Sequence, residues 1–136
     1  MFKITLIEDN YDYRSALKSE IDFQDDMQCV HDFSSVPSAL AAMDRSKPDI
    51  IILDLGLPEV DGLDAIPELK QLLPETKIMV LTISEDRARV MQALARGANG
   101  YLLKTDPLER VIEGIRNIAN GEAPMSAAIA EIVLKA

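Results

Sequence analysis

Four apolar runs in this sequence give way to polar residues at the same place, their C-terminal ends. The first ends in Glu8-Asp9, the third in Asp54, the fourth in Thr82-Ile83-Ser84 and the fifth in Lys104-Thr105. Taken singly, each has a bland reading: a strand-end Asp is commonly a cap or turn residue, and Glu8-Asp9 reads as a solvated turn. Taken together they describe a site. Three carboxylates in one cleft repel by about 4 kcal/mol per pair at roughly 4 Å and an effective dielectric near 20. A proton or a cation must relieve that repulsion. Carboxylate, carbonyl and water ligands favour a hard cation, and Mg²⁺ is the simplest choice. Lys104 brings a positive charge of the kind that holds a phosphoryl oxygen, and Thr82 brings a hydroxyl donor. A carboxylate nucleophile at Asp54, a metal and fixed donors are the parts of a phosphoryl-transfer site.

These residues meet only if the chain folds in a particular way. Five apolar runs, Lys3–Ile7, Met27–Phe33, Ile50–Leu53, Lys77–Leu81 and Gly100–Leu103, alternate with segments of helical period. Three of them, from Ile50, Ile78 and Tyr101, are continuously apolar, as strands are when helices cover both faces of a parallel sheet. Helices are expected over Asp12–Phe23 (Ala16, Leu17, Ile21 and Phe23 inward) and Val36–Arg45 (Val36, Ala39, Leu40 and Met43 inward). Glu85–Arg96 opens on a Ser84 cap and closes at Gly97, and Pro107–Asn120 has Asp106 as its cap. In Leu63–Leu73, Pro67 predicts a kink, or a helix that starts near Pro67. Strict alternation gives a doubly wound α/β fold with right-handed crossovers. With strand order 2-1-3-4-5, strands one and three straddle the switch point and bring Glu8, Asp9 and Asp54 together at the carboxyl edge of the sheet. Residues 1–121 form one domain. Residues 122–136, with a short apolar-faced helix over Ala127–Lys135, read as an extension or the start of a linker.

Composition narrows the function. The chain has 136 residues, the size of one domain, and a net charge of −9. No Lys/Arg cluster offers the basic stripe that nucleic acid requires, so direct nucleic-acid binding is not expected. One cysteine (Cys29) and one histidine (His31) exclude an internal disulfide and a Cys/His zinc site. Both are expected as core or edge residues. No apolar run approaches the roughly 20 residues that span a bilayer, and the N-terminus lacks a secretory layout. The expected compartment is the cytoplasm.

The motifs Ile7-Glu8-Asp9-Asn10, Leu53-Asp54-Leu55-Gly56-Leu57-Pro58, Asp61-Gly62, Leu81-Thr82 and Gly100-Tyr101-Leu102-Leu103-Lys104, in this order, resemble those of response-regulator receiver domains. The likeness runs from about Phe2 to Asn120. It implies the flavodoxin-like receiver fold, with Asp54 as the phosphorylated aspartate and Glu8, Asp9 and the Gly56 carbonyl as metal ligands beside it. It further implies Thr82 as the switch hydroxyl, Tyr101 as the switch aromatic and Lys104 as the phosphate-binding lysine. The implied partners are a sensor histidine kinase and, on phosphorylation, a second copy of the chain. The stretch Gly97–Lys104 followed by Gly121-Glu122-Ala123-Pro124-Met125-Ser126 is similar to the NarL/FixJ type, whose members usually carry a helix-turn-helix domain after a linker. That implies one half of a DNA-binding regulator, or a stand-alone receiver. The sequence departs from the family at Thr105, where receivers commonly have proline, at Ile83, bulkier than the usual alanine, at Pro67, and in having Glu-Asp for the acidic pair.

Other functions fit less well. A phosphatase of the haloacid dehalogenase type needs an acid two residues after the nucleophile, and Gly56 stands there. A flavodoxin-like cofactor module needs a hydroxyl- and glycine-rich phosphate loop after strand one, where Glu8-Asp9-Asn10-Tyr11-Asp12 would repel phosphate. A pseudo-receiver acting without phosphorylation would not need the full set of Glu8, Asp9, Asp54, Thr82 and Lys104. The expectation is a signalling domain, not a turnover enzyme.

Overall fold

The computed structural model describes the backbone of all 136 residues and the side chains of residues 1–42 and 47–136. Five strands, β1 (Phe2–Ile7), β2 (Met27–Phe33), β3 (Ile50–Leu53), β4 (Lys77–Thr82) and β5 (Gly100–Leu103), form one parallel sheet in the order β2-β1-β3-β4-β5. Six helices accompany them: α1 (Tyr11–Phe23), α2 (Val36–Ser46), α3 (Gly62–Leu72), α4 (Arg87–Ala95), α5 (Leu108–Ala119) and α6 (Ala127–Leu134). The expected strand order is the one observed.

The continuous apolar strands have a direct cause. Successive strand residues point to opposite faces, and both faces are covered. Leu17 and Ile21 of α1 and Val111, Ile112, Ile115 and Ile118 of α5 pack on Ile50, Ile52, Met79 and Leu81. Helices α2, α3 and α4 pack on Ile51, Leu53, Ile78 and Val80. Ile129 of α6, 0% exposed, joins that second layer. Burying one such side chain stabilises by about 2 kcal/mol, and Ala128, Ile132 and Val133, half-buried against the same layer, add to the hold on α6.

Several helix starts differ from those read in the sequence. Helix α4 begins two residues late because the Asp86 carboxylate accepts from the Arg89 amide, while Ser84 gives its carbonyl to the Tyr101 hydroxyl. Helix α5 begins at Leu108, with Pro107 extended at the cap position and Asp106 engaged elsewhere, by Ser126. Helix α3 starts at Gly62, capped by Asp61, and continues through Pro67. Pro67 has no N–H for the Leu63 carbonyl four residues back. That carbonyl instead accepts from the Arg96 guanidinium at 3.1 Å, which is how the helix tolerates the proline. Helix α1 buries Leu17 and Ile21, with Tyr13 half-buried on the same stripe; Ala16 and Phe23 face solvent, against expectation. In α2, Val36 and Ala39 are buried and Leu40 half-buried, and Met43 lies outside the described side chains. Cys29 is buried in the edge strand β2 and His31 beside it is exposed. The described residues contain no cis peptide bond.

Candidate functional site

Register decides which side chains meet. Ile7 of β1 pairs with Leu53 of β3, so Glu8 and Asp54 leave neighbouring strands at the same level. The Asp54 amide donates to the Ile7 carbonyl at 3.1 Å and the Glu8 amide to the Phe33 carbonyl at 2.9 Å, which fixes both exits. On the other side Thr82 pairs with Leu103, and the Lys104 amide donates to the Thr82 carbonyl at 2.9 Å. Four strand ends therefore converge on one edge.

Oxygens of Glu8, Asp9 and Asp54 lie within 4.8 Å of one another. Glu8 and Asp54 are buried and Asp9 is exposed. The Lys104 ammonium reaches between the two buried acids, 2.5 Å from Glu8 Oε1 and 2.9 Å from Asp54 Oδ2. The second Asp54 oxygen accepts from the Gly56 amide at 3.2 Å. Burial pushes the Glu8 carboxyl above the usual carboxylate range, although hydrogen bonds from Lys104 and Asn10 draw it down. Burial alone would lower the Lys104 ammonium. Its hydrogen bonds with Glu8 and Asp54 outweigh that effect and hold it above its ordinary value. Lys104 thus stays charged and offsets the repulsion between the acids.

The mouth of this pocket is lined by Asp9, Asn10, Tyr13, Asp54, Gly56, Thr82, Ile83 and Lys104. Ile83 is 75% exposed and stands on the rim. Gly62 explains how the loop after Asp54 packs so closely. A Cβ there would meet the Asp54 carbonyl oxygen at 2.1 Å, so only glycine lets α3 start against that loop. Tyr101 does not line the pocket; its ring is 0% exposed on the face shared with α4, and its hydroxyl donates to the Ser84 carbonyl at 2.8 Å.

Three contributors were not read in the sequence. Arg14 donates to the Glu8 carbonyl at 2.6 Å and to Asp32, tying α1 to the end of β1. Tyr13 places its ring 5.1 Å from the Lys104 ammonium, and its hydroxyl is buried without a partner. Burial, then the charges of Glu8, Asp106 and Asp54, push that hydroxyl up to about 12, so it remains protonated. A signal existed for Tyr13: it falls on the Leu17–Ile21 stripe, one turn after the strand-end acids. Arg89 makes a bidentate pair with Asp61, the cap of α3, at 2.7 and 2.9 Å, and nothing in their spacing announces it.

The family model for the response regulator receiver domain matches residues 4–116. This chain is a response-regulator receiver domain. It is 36% identical, over 97% of its length, to the uncharacterized transcriptional regulatory protein YhcZ of Bacillus subtilis, of which it covers 61%. It is 31% identical to the transcriptional regulatory protein DegU of Brevibacillus brevis, over 89% of this chain and 51% of that protein. The receiver therefore spans between half and two thirds of the length of these relatives. Among solved structures, a LuxR-family two-component response regulator from Aurantimonas sp. SI85-9A1 superposes with a TM-score of 0.93 at 24% identity, covering 99% of this chain and 96% of that one. The receiver fold expected from the strand pattern is thus the fold found, and the relatives are regulators of the kind that the motifs after Gly97 resemble.

Proposed function

We propose that this receiver accepts a phosphoryl group on Asp54 from the phosphohistidine of a sensor histidine kinase. The observation that carries this reading is the Lys104 ammonium held between Glu8 and Asp54, at a strand edge where three carboxylates converge. A carboxylate oxygen of Asp54 forms the new bond to phosphorus as the phosphorus–nitrogen bond breaks, and that bonding pair returns to the imidazole of the donor. Lys104 and the buried Thr82 hydroxyl are the fixed donors that meet the charge on the transferred group, in a site already shielded from water. The Gly56 amide and Lys104 orient the nucleophile by holding one oxygen each.

The donor set suits Mg²⁺: Glu8, Asp9 and Asp54 would supply hard oxygen ligands, and Gly56, which lines the same pocket, would add its carbonyl. An ion held there would supply positive charge to the phosphoryl oxygens, and it would share the Glu8 carboxylate with Lys104, which already pairs with it.

The names of the relatives support a wider role for this receiver. This receiver is the regulatory part of a cytoplasmic DNA-binding regulator, whose phosphorylation alters pairing between copies through Thr82 and Tyr101. Residues 1–121 carry the phosphoacceptor, and residues 122–136 form a C-terminal extension that packs back on β5. The test is incubation with acetyl phosphate and Mg²⁺, read by intact mass. Wild type should gain one phosphoryl group and Asp54→Asn, which keeps size and loses the nucleophile, should gain none. Undiminished phosphate on the variant would move the site elsewhere.

A further inference from the structure

Two helices lack the cap that their sequence offers. Helices α1 to α4 each start on a side chain that accepts from an amide of the first turn, supplied by Asn10, Ser35, Asp61 and Asp86. Helices α5 and α6 have no such bond, although Asp106 precedes the first and Ser126 the second. Both side chains are among the best caps available. Both are spent on each other: the Ser126 hydroxyl donates to Asp106 Oδ2 and accepts from the Leu103 amide at 2.9 Å.

The place of this tie matters. Leu103 and Asp106 flank Lys104, and the turn between them is closed by the Asp106 amide on the Leu103 carbonyl at 3.0 Å. Ser126 is buried, and its neighbours extend the attachment. The Tyr101 amide donates to the Pro124 carbonyl at 2.9 Å, and the Ser126 amide to the Tyr101 carbonyl at 3.2 Å. A Cβ on Gly100 would meet Pro124 at 2.9 Å, so the close approach of this segment to β5 is written into a glycine.

We propose that Ser126 is a positioning residue for Lys104, and that residues 123–129 belong to the phosphoryl-binding machinery. The inference rests on the reading of Lys104 given above and extends it. Lys104 is anchored by its own amide on Thr82 and by the Ser126 clamp on either side of it. A phosphoryl group that engages Lys104 therefore loads the clamp, and through it the start of α6. By linkage, loosening the clamp must weaken the engagement of Lys104 at Asp54.

The test uses the whole chain. Ser126→Ala should slow phosphorylation by acetyl phosphate about three- to tenfold, the range expected for one buried hydrogen bond, and Ser126→Thr should restore most of the rate. A second measurement separates positioning from mere support. In urea unfolding of the metal-free protein, the losses from Ser126→Ala and Lys104→Ala should fall short of adding when combined, because both break one linked unit. Asp106→Asn weakens the tie from its other end and takes the place of Ser126→Ala should that variant not fold. An unchanged rate in a folded clamp variant, or strictly additive losses, would overturn the proposal while leaving the phosphoacceptor reading intact. A wild-type chain that takes up no phosphate would overturn both.

Discussion

Thr82 and Tyr101 lie on neighbouring strands, and alternation along β4 and β5 puts their side chains on the same face. Tyr101 already lies inward, with its hydroxyl on the Ser84 carbonyl in the loop that follows Thr82. Any pull on Thr82 is felt by that loop, and so by the tyrosine. Beryllofluoride with Mg²⁺ should therefore shift the Tyr101 ring resonances in wild type. In Thr82→Ala the shift should be lost, although incubation of that variant with acetyl phosphate and Mg²⁺ still places phosphate on Asp54 by mass spectrometry. Equal shifts in both proteins would remove the hydroxyl from the link. Much of this site was legible because polar residues that end apolar runs are rare and local: Glu8, Asp9, Asp54, Thr82 and Lys104 all carry that mark. Arg14 and Ser126 carry none. Their partners are set by which elements become neighbours, and a lone Arg or Ser on a helix or at its start has many possible partners.

At the scale of elements, the joint between α3 and α4 is held by charge. Arg89 grips Asp61, and Arg96 reaches both the Leu63 carbonyl and Asp64. Burial works against the Asp61 carboxylate, but the Arg89 and Leu63 hydrogen bonds win and hold it below the usual carboxylate range. A depressed carboxylate stabilises the fold above its unfolded value, near 4, and loses that contribution as the pH falls through the folded value. The pair is partly exposed, so about 0.5–1 kcal/mol is at stake. Arg89→Gln should lower the unfolding temperature modestly at pH 7, and the gap to wild type should shrink as the pH falls below the unfolded value and through the folded one. A gap that ignores pH would mean that packing, not charge, holds α4 in place. The starts of α4 and α5 were misread for a related reason. Local cap rules assume that a capping side chain serves the first turn of its own helix, whereas the Ser84 hydroxyl accepts from the Asp86 amide just ahead of α4 and Asp106 is occupied by Ser126 from elsewhere in the fold.

For the molecule as a whole, the net charge of −9 sets the long-range behaviour. Phosphate-rich polymers are repelled, so the isolated chain should give no gel shift with duplex DNA at moderate salt. A shifted band would require a basic surface that the composition does not supply. Alternation made the parallel sheet legible but not its order, since any order of parallel strands gathers their carboxyl ends at one edge. The order 2-1-3-4-5 was expected as the one that puts strands one and three side by side, and as the receiver order. The closing of the sheet's two flanks was not legible. On the β2 side, the register slips between Ile4 and Thr5, and the Cys29 amide is taken by Asp22. On the β5 side, the backbone of Tyr101 is taken by Pro124 and Ser126. The second closure has a practical meaning for anyone trimming the chain. A fragment cut after Gly121 would bare the outer rim of β5 and the apolar seat of Ile129. Such a rim templates pairing with further copies, so the fragment should aggregate more readily than the whole chain.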